Sequence, residues 1–106
     1  MQLDLDSRLR GRDYGRYEDQ PVGSIDWDEE GETFEHEDSY TQRIRDFMRE
    51  ITSSGNTKVL VVTHGGVVRR VLHYECGKER EAALQTDIPN ASVLIVDTSK
   101  KSCSLL

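Results

Sequence analysis

Cysteine and proline are both scarce in this sequence, with two of each among 106 residues. The cysteines, Cys76 and Cys103, stand far apart and belong to no C-x-x-C pair, so neither a disulfide scaffold nor a zinc site is indicated. We therefore expect reduced thiols and a cytoplasmic protein. No apolar run approaches the length of a membrane span, and Met1–Arg10 lacks the apolar core of a signal peptide. The sequence predicts neither a membrane span nor a secretory signal.

Apolar residues are also few for a compact α/β domain. The hydrophobic set makes up 35% of the residues and the charged set 32%, with a net charge of −6. A chain of this length forms one small domain at most, and its stability is expected to be marginal. The negative charge argues against nucleic acid and anionic membranes as general partners, because both favour a concentrated basic surface.

The most informative segment is Lys58–Tyr74. Val59–Val62 is an apolar, mostly β-branched run that ends at Thr63-His64, and two glycines and a stretch of apolar residues at helical spacing follow it. This pattern predicts a buried central strand, a tight turn and a helix from Val67 to about Glu75. Ligands of open α/β sheets bind beyond the carboxyl ends of the strands, so His64 is predicted to lie at a binding edge.

The remaining elements follow from the same kind of periodicity. Ser39–Thr52 has apolar residues at helical spacing, with Asp38 or Ser39 as its cap and Gly55-Asn56 as its stop. A short helix is predicted over Glu79–Leu84 and a last strand over Ala91–Asp97. The alternation of helices and strands predicts an α/β domain with a mostly parallel sheet.

Two strands make an incomplete sheet, because a parallel sheet needs neighbouring strands and cover on both faces. Val59–Val62 has the composition of a strand from the middle of such a sheet. The sequence therefore predicts that an N-terminal half, a complementing chain or self-association completes the sheet.

Thr63-His64-Gly65-Gly66 has the residue types that phosphate chemistry needs. An imidazole near a helix N-terminus binds a phosphoryl oxygen or relays a proton to it, and glycines let backbone N–H groups approach an anion closely. The alternative is a strand-to-helix turn in which the histidine only packs.

Two charged loops precede these elements. Leu9–Asp19 carries arginines and glycines that suit a phosphate clamp, or it is a solvated basic turn that balances the acidic segment Asp26–Asp38. The acidic segment lacks the ligand pattern of a calcium loop, so we interpret it as a solvated loop and His36 within it as a surface residue.

Four segments, in this order, resemble the histidine phosphatase superfamily, which includes phosphoglycerate mutases and fructose-2,6-bisphosphatases. Arg12–Gly15, R-D-Y-G, also resembles the R-K-Y-G of one group of fructose-2,6-bisphosphatases. The resemblance covers nearly the whole chain and corresponds to the C-terminal half of the family's domain. The four segments are Leu9–Asp19 (similar to L-x-E-R-x-x-G-x-x-E-G), Gly31-Glu32-Thr33 with Arg43 (G-E-S/T and the arginine on the next helix), Val61–Gly66 (V-V-S/T-H-G) and Ile88–Ser92 (I-P-N-A-S).

The resemblance implies roles for three residues. In the family a histidine from an R-H-G motif accepts the phosphoryl group, a second histidine helps to hold it, and an acidic residue protonates the leaving oxygen. His64 corresponds to the second histidine and would be catalytic, Arg12 would contact the substrate phosphate, and Gly65 would supply a backbone N–H. No metal or other cofactor is implied, because arginines and histidines supply the positive charge.

Two departures from the family pattern concern catalysis. R-H-G is absent from the sequence, and Gly11 stands where the family has its acid. Asp13 and Glu18 are candidate substitutes, although neither stands at the matching position. Loss of a general acid alone lowers a rate by about 10²–10⁴-fold.

The resemblance therefore implies a partial three-layer phosphoglycerate-mutase-like fold. Residues 1–106 would form a single truncated histidine-phosphatase-like domain that lacks the N-terminal strand and the nucleophile segment. Such a domain would act on or bind a phosphorylated small molecule, with a sugar bisphosphate among the candidates, and its catalysis would be impaired. The alternative is a non-catalytic pseudoenzyme or an acidic protein-interaction module, with a second copy or a complementing chain as partner.

Overall fold

The computed structural model describes residues 3–55, 58–100 and 102–106. These residues form three α-helices and one two-stranded sheet, preceded by short 3₁₀ helices. In chain order the elements are 3₁₀ helices at Ser7–Leu9, Gly15–Tyr17, Val22–Ser24 and Trp27–Glu29, then α1 (Glu37–Ser53), α2 (Gly65–Tyr74), α3 (Arg80–Leu84), β1 (Leu94–Asp97) and β2 (Ser102–Leu105).

Helix α1 confirms the predicted helix but begins two residues earlier than expected. Its N-cap is His36, whose Nδ1 accepts a hydrogen bond from the Asp38 N–H at 3.0 Å. The expectation of an Asp38 or Ser39 cap is wrong, because both residues already lie inside the helix. Gly55 follows the helix with a φ of 83°, a conformation that suits glycine at a helix end. The other half of the predicted stop, Asn56, lies outside the described residues.

The core forms between α1 and α2. Tyr40 and Ile44 of α1 pack against Val67 and Val71 of α2, and all four are buried. These positions are spaced by four on each helix and therefore share one face. Helix α3 lies beside α2 and buries Ala83. The predicted helix from Val67 to Glu75 is confirmed over most of its length.

The last predicted strand is confirmed in part, since β1 covers Leu94–Asp97. It pairs with β2 in antiparallel register, from Leu94 opposite Leu105 to Asp97 opposite Ser102. The expected mostly parallel sheet is not found among the described residues, whose one sheet is this antiparallel pair. The α/β character of the chain is confirmed, and the sheet type is not.

Val59–Val62 does not form the predicted central strand. The segment is irregular, and the side chains of Leu60 and Val62 are 81% and 85% exposed. A strand requires hydrogen bonds to a neighbour, and no strand of the described residues pairs with this segment. The segment instead lines an apolar groove of about 550 Å³ together with residues of α1, α2 and β1.

The prediction of reduced cysteines is also wrong for this structure. A disulfide joins Cys76, just beyond α2, to Cys103 on β2. The sequence spacing gave no sign of the bond, because the two Cα atoms come within 5.8 Å only when the C-terminal hairpin folds back to the end of α2. Cys76 is consequently not available as a nucleophile in this state.

Among the described residues, no helix combines the length and the apolar character that crossing a bilayer requires.

Removal of the disulfide between Cys76 and Cys103 is expected to destabilise the fold. Cys103→Ser should lower the free energy of unfolding by about 3.5 kcal/mol, because the bond closes a loop between residues 27 apart and restricts the unfolded chain. Urea denaturation followed by circular dichroism measures this difference. A reducing agent should bring the wild-type chain to the stability of Cys103→Ser and leave that variant unchanged. A wild-type chain that does not respond to reduction would contradict the assignment.

Candidate phosphate-binding site

His64 lies at the start of α2, where its carbonyl oxygen accepts hydrogen bonds from the N–H groups of Val67 and Val68 at 3.0 and 3.1 Å. Its backbone is extended, and no side chain caps the helix. The first N–H groups of a helix have no partner within it, and those of Gly65 and Gly66 make no hydrogen bond to any described residue. The exposed imidazole of His64 therefore stands beside free N–H donors.

Gly11 faces the imidazole of His64. It lies in the N-terminal loop, which we define as residues 8–14, from the end of the first 3₁₀ helix to the start of the second. The loop is joined to the turn by the Thr63 hydroxyl, which donates to the Leu9 carbonyl oxygen at 2.6 Å. A Cβ atom at Gly11 would lie 3.8 Å from both Cγ and Cδ2 of His64, which is ordinary van der Waals contact. The position that corresponds to the family's acid is thus next to His64, although the residue here has no side chain.

Arg43 of α1 holds this loop in place. Its Nη1 donates to the carbonyl oxygens of Arg8 and Arg10 at 2.7 and 2.8 Å, and its Nη2 donates to that of Gly11 at 2.9 Å. Two further hydrogen bonds reach the Glu35 carboxylate at 2.8 and 2.9 Å. A bidentate pair of this kind fixes orientation as well as position, so Arg43 determines where Gly11 stands.

Arg12, predicted to contact the substrate phosphate, lies inside a cluster of acidic residues. Its side chain is 7% exposed and forms ion pairs with Glu30 and Glu37. Its Nε donates to the carbonyl oxygen of Glu35 at 2.9 Å. A phosphate can reach this guanidinium only by displacing a carboxylate.

Glu37 connects Arg12 with Arg70 of α2. Arg70 donates from Nη2 to Oε1 of Glu37 at 2.7 Å and from Nε to Oε2 at 3.1 Å. Burial raises the pKa of Glu37, but the hydrogen bonds from Arg70 and Thr41 outweigh burial and hold the pKa below its ordinary value. The carboxylate is therefore ionised at neutral pH and is shared by two guanidinium groups.

The interpretation of the acidic segment as only a solvated loop needs correction. Glu29 and Glu30 within it form ion pairs with Arg16 and Arg12 of the basic loop, and Glu35 pairs with Arg43. For Leu9–Asp19, these contacts show charge balance against the acidic segment, although the side chain of Arg12 is buried rather than solvated. The phosphate clamp stays a prediction. His36 caps α1, and its side chain is 44% exposed, as predicted for a surface residue.

Arg69 is a cation that sequence reasoning missed. Its Nη1 would lie 3.4 Å from a Cβ atom at Gly65, and its Nε donates to the Thr86 carbonyl oxygen at 2.8 Å. Unlike Arg12, it has no carboxylate partner among the described residues. The sequence could have indicated this contact, because Arg69 stands four residues after Gly65 in the predicted helix and residues at that spacing lie on the same face.

Ile88 belongs to the Ile88–Ser92 segment that resembles the family, and it also lies beside Gly65. Its side chain would lie 3.6 Å from a Cβ atom at Gly65. Gly11, His64, Gly65 and Ile88, which are far apart in the sequence, are therefore neighbours around the start of α2. Among the described residues there is no group of three His, Cys, Asp or Glu side chains that could hold a metal ion. The site is composed of N–H donors, an imidazole and a guanidinium, which are groups that bind anions.

The sequence model of the histidine phosphatase superfamily (branch 1) matches residues 1–106. The chain belongs to this superfamily. No curated protein and no solved structure matches it. Membership supports a domain of the phosphatase and phosphoglycerate mutase type, and it agrees with the motif order on which the resemblance was based.

The ionised carboxylates of the site predict how stability depends on pH. A hydrogen bond from Arg43 lowers the pKa of Glu35 from its ordinary 4.5, with burial opposing the shift, and the pKa of Glu37 is lowered as well. Groups with a lowered pKa in the folded state bind fewer protons than in the unfolded state. Their contribution is therefore complete above pH 4.5 and is lost as the pH falls through the folded-state pKa.

Urea denaturation from pH 7 to below pH 4.5 should show the onset of this loss, because the unfolded chain protonates these carboxylates at a higher pH than the folded chain does. Glu35→Gln should lower the free energy of unfolding by about 3 kcal/mol at pH 7, since it leaves a nearly buried Arg43 without its carboxylate. The variant should also have a shallower pH dependence. Glu75→Gln, at an exposed position without an ion pair among the described residues, is the control. Equal pH slopes for both variants would refute the assignment.

Proposed function

We propose that this chain binds the phosphate group of a phosphorylated small molecule at the start of α2. The observation that carries the proposal is the uncapped first turn of α2. Its N–H groups have no partner among the described residues, and they lie beside the exposed His64 and the Arg69 guanidinium, which no described carboxylate pairs with. Membership in the histidine phosphatase superfamily supports phosphate as the anion.

The chemistry of the donors suits a phosphate dianion. The N–H groups of Gly65 and Gly66 and the positive end of the helix dipole favour negative charge. Arg69 adds a guanidinium, which is suited to two phosphoryl oxygens, and His64 adds a ring N–H. The glycines leave the backbone open to close approach by the ligand.

Arg12 is a second phosphate ligand in this proposal, and it acts by exchanging partners. Its guanidinium is held by Glu30 and Glu37, so a phosphate group competes with these carboxylates for the same donors. The R-D-Y-G sequence at Arg12–Gly15 supports a sugar bisphosphate as the ligand, with one phosphate at α2 and the other at Arg12.

Catalysis by this chain alone is proposed to be impaired. The sequence contains no R-H-G, and Gly11 carries no side chain that could protonate a leaving oxygen. Removing a nucleophile and a general acid lowers turnover by orders of magnitude, whereas electrostatic binding of phosphate requires neither. The function proposed is therefore that of a phosphate-binding domain of a phosphatase or mutase family.

Titration with inorganic phosphate, by calorimetry and by the amide NMR signals of Gly65 and Gly66, tests this function. His64→Ala and Arg69→Ala should each weaken binding by about tenfold or more, as expected for the loss of a hydrogen bond to a charged group. His73→Ala, near the far end of α2, and Arg45→Ala, on the opposite end of the helix pair, are matched controls and should bind like the wild-type chain.

Hydrolysis of an aryl phosphate by the same proteins completes the test. The wild-type chain should show no turnover above buffer, and turnover that His64→Ala abolishes would contradict the proposed impairment. Absence of phosphate binding in the wild-type chain would refute the function. It would favour instead a module that contacts another chain, for which the exposed Val59–Val62 segment is the candidate surface.

Substitution at Gly11 tests where the anion lies. Gly11→Glu and Gly11→Gln should both fold, because a Cβ atom there makes only ordinary contact with His64. The glutamate should weaken phosphate binding by about fivefold relative to the isosteric glutamine, because a like charge next to the anion costs roughly 1 kcal/mol. Calorimetry with inorganic phosphate measures the ratio, and equal affinities would place the anion away from His64.

A further inference from the structure

Tyr40 is a buried tyrosine that the proposed function does not yet use. The residue is 2% exposed and lies in the core between α1 and α2. Two guanidinium groups approach its ring: the Cζ atoms of Arg43 and Arg70 lie 4.7 and 4.8 Å from the ring centroid. Such cation–π contacts stabilise a ring in one position, so the hydroxyl group has a fixed location.

That location is the first turn of α2. A Cβ atom at Gly66 would stand 2.8 Å from the Tyr40 hydroxyl oxygen, a separation that real Cβ atoms do not show. Only glycine therefore allows the hydroxyl to come this close to the backbone of α2. Gly66 and Tyr40 together place an O–H donor beside the N–H donors of the uncapped helix.

The hydroxyl makes no hydrogen bond to any residue of 3–55, 58–100 and 102–106. Among these residues, no side-chain polar atom that is sealed from solvent lacks a partner. The Tyr40 hydroxyl must therefore reach the surface, even though its ring does not. Burial raises the pKa of Tyr40, while Arg70 and Arg43 act in the opposite direction, so the group is a neutral donor at physiological pH.

We infer that Tyr40 is a ligand-binding residue whose hydroxyl donates a hydrogen bond to the anion at the start of α2. The inference rests on the proposed function and deepens it. Arg69 lies beside Gly65 and Tyr40 beside Gly66, and successive residues of a helix point about 100° apart. The donors thus approach from different directions, which suits the three free oxygens of a tetrahedral phosphate better than the two of a planar carboxylate.

Tyr40→Phe is the direct test, because it keeps the ring and its two guanidinium contacts and removes only the hydroxyl. Its dissociation constant for inorganic phosphate should rise about tenfold, as expected for a hydrogen bond to a charged group. Tyr74→Phe removes an equivalent hydroxyl at the other end of α2 and should leave the constant unchanged. Acetate, a planar anion, should bind weakly to the wild-type chain and equally weakly to Tyr40→Phe.

A second measurement needs no variant. The Cζ carbon resonance of Tyr40 in the wild-type chain should move during the phosphate titration with the same dissociation constant as the Gly65 amide, while that of Tyr74 stays in place. A Tyr40 resonance that does not move would overturn the inference, whether or not Tyr40→Phe folds.

The two proposals fail in distinguishable ways. Wild-type binding that His64→Ala weakens and Tyr40→Phe leaves within twofold would overturn the role of Tyr40 and keep the proposed function. A wild-type chain that binds no phosphate would overturn both. A dissociation constant about tenfold higher in Tyr40→Phe, together with a Tyr40 resonance that shifts in the wild-type chain, is the result that the inference predicts.

Discussion

The guanidinium of Arg43 is the contact on which the arrangement of the site depends. It joins α1 to three backbone carbonyl oxygens of the N-terminal loop and to Glu35, and its other face lies against Tyr40. Together with the bond from the Thr63 hydroxyl to the Leu9 carbonyl oxygen, these contacts hold Gly11 beside the imidazole of His64. The Arg43 side chain therefore connects the loop, the acidic segment and the core. Its ion pair with Glu35 is strong because both side chains are nearly buried.

Local patterns predicted the helices well and the sheet poorly. Helices α1 and α2 satisfy their own backbone hydrogen bonds, so the spacing of Ile44, Val67 and their neighbours was sufficient to find them. The composition of Val59–Val62 indicated a strand, but a strand exists only with a partner, and none of the described residues supplies one. The bond between Cys76 and Cys103 escaped prediction for a related reason, because it depends on how distant segments meet.

In the candidate site, too, features that depend on local sequence were predictable and contacts between distant segments were not. His64 was predicted as a site residue from its position between an apolar run and a glycine pair, which is information within a few residues. The partners of Arg12 were not predictable, because its carboxylates come from residues 18 and 25 positions away. Arg69 and Tyr40 were missed since neither belongs to a motif, and their importance lies only in what stands next to Gly65 and Gly66.

The link between Cys76 and Cys103 closes a covalent ring that contains α3, the Ile88 segment and β1. A protease that cuts the chain once anywhere between the two cysteines would open this ring without releasing a fragment. Both new chain ends would stay joined to the helix that begins at Gly65. Nicking in this part of the molecule would therefore change the mass by one water and leave every residue of the site on one covalent molecule.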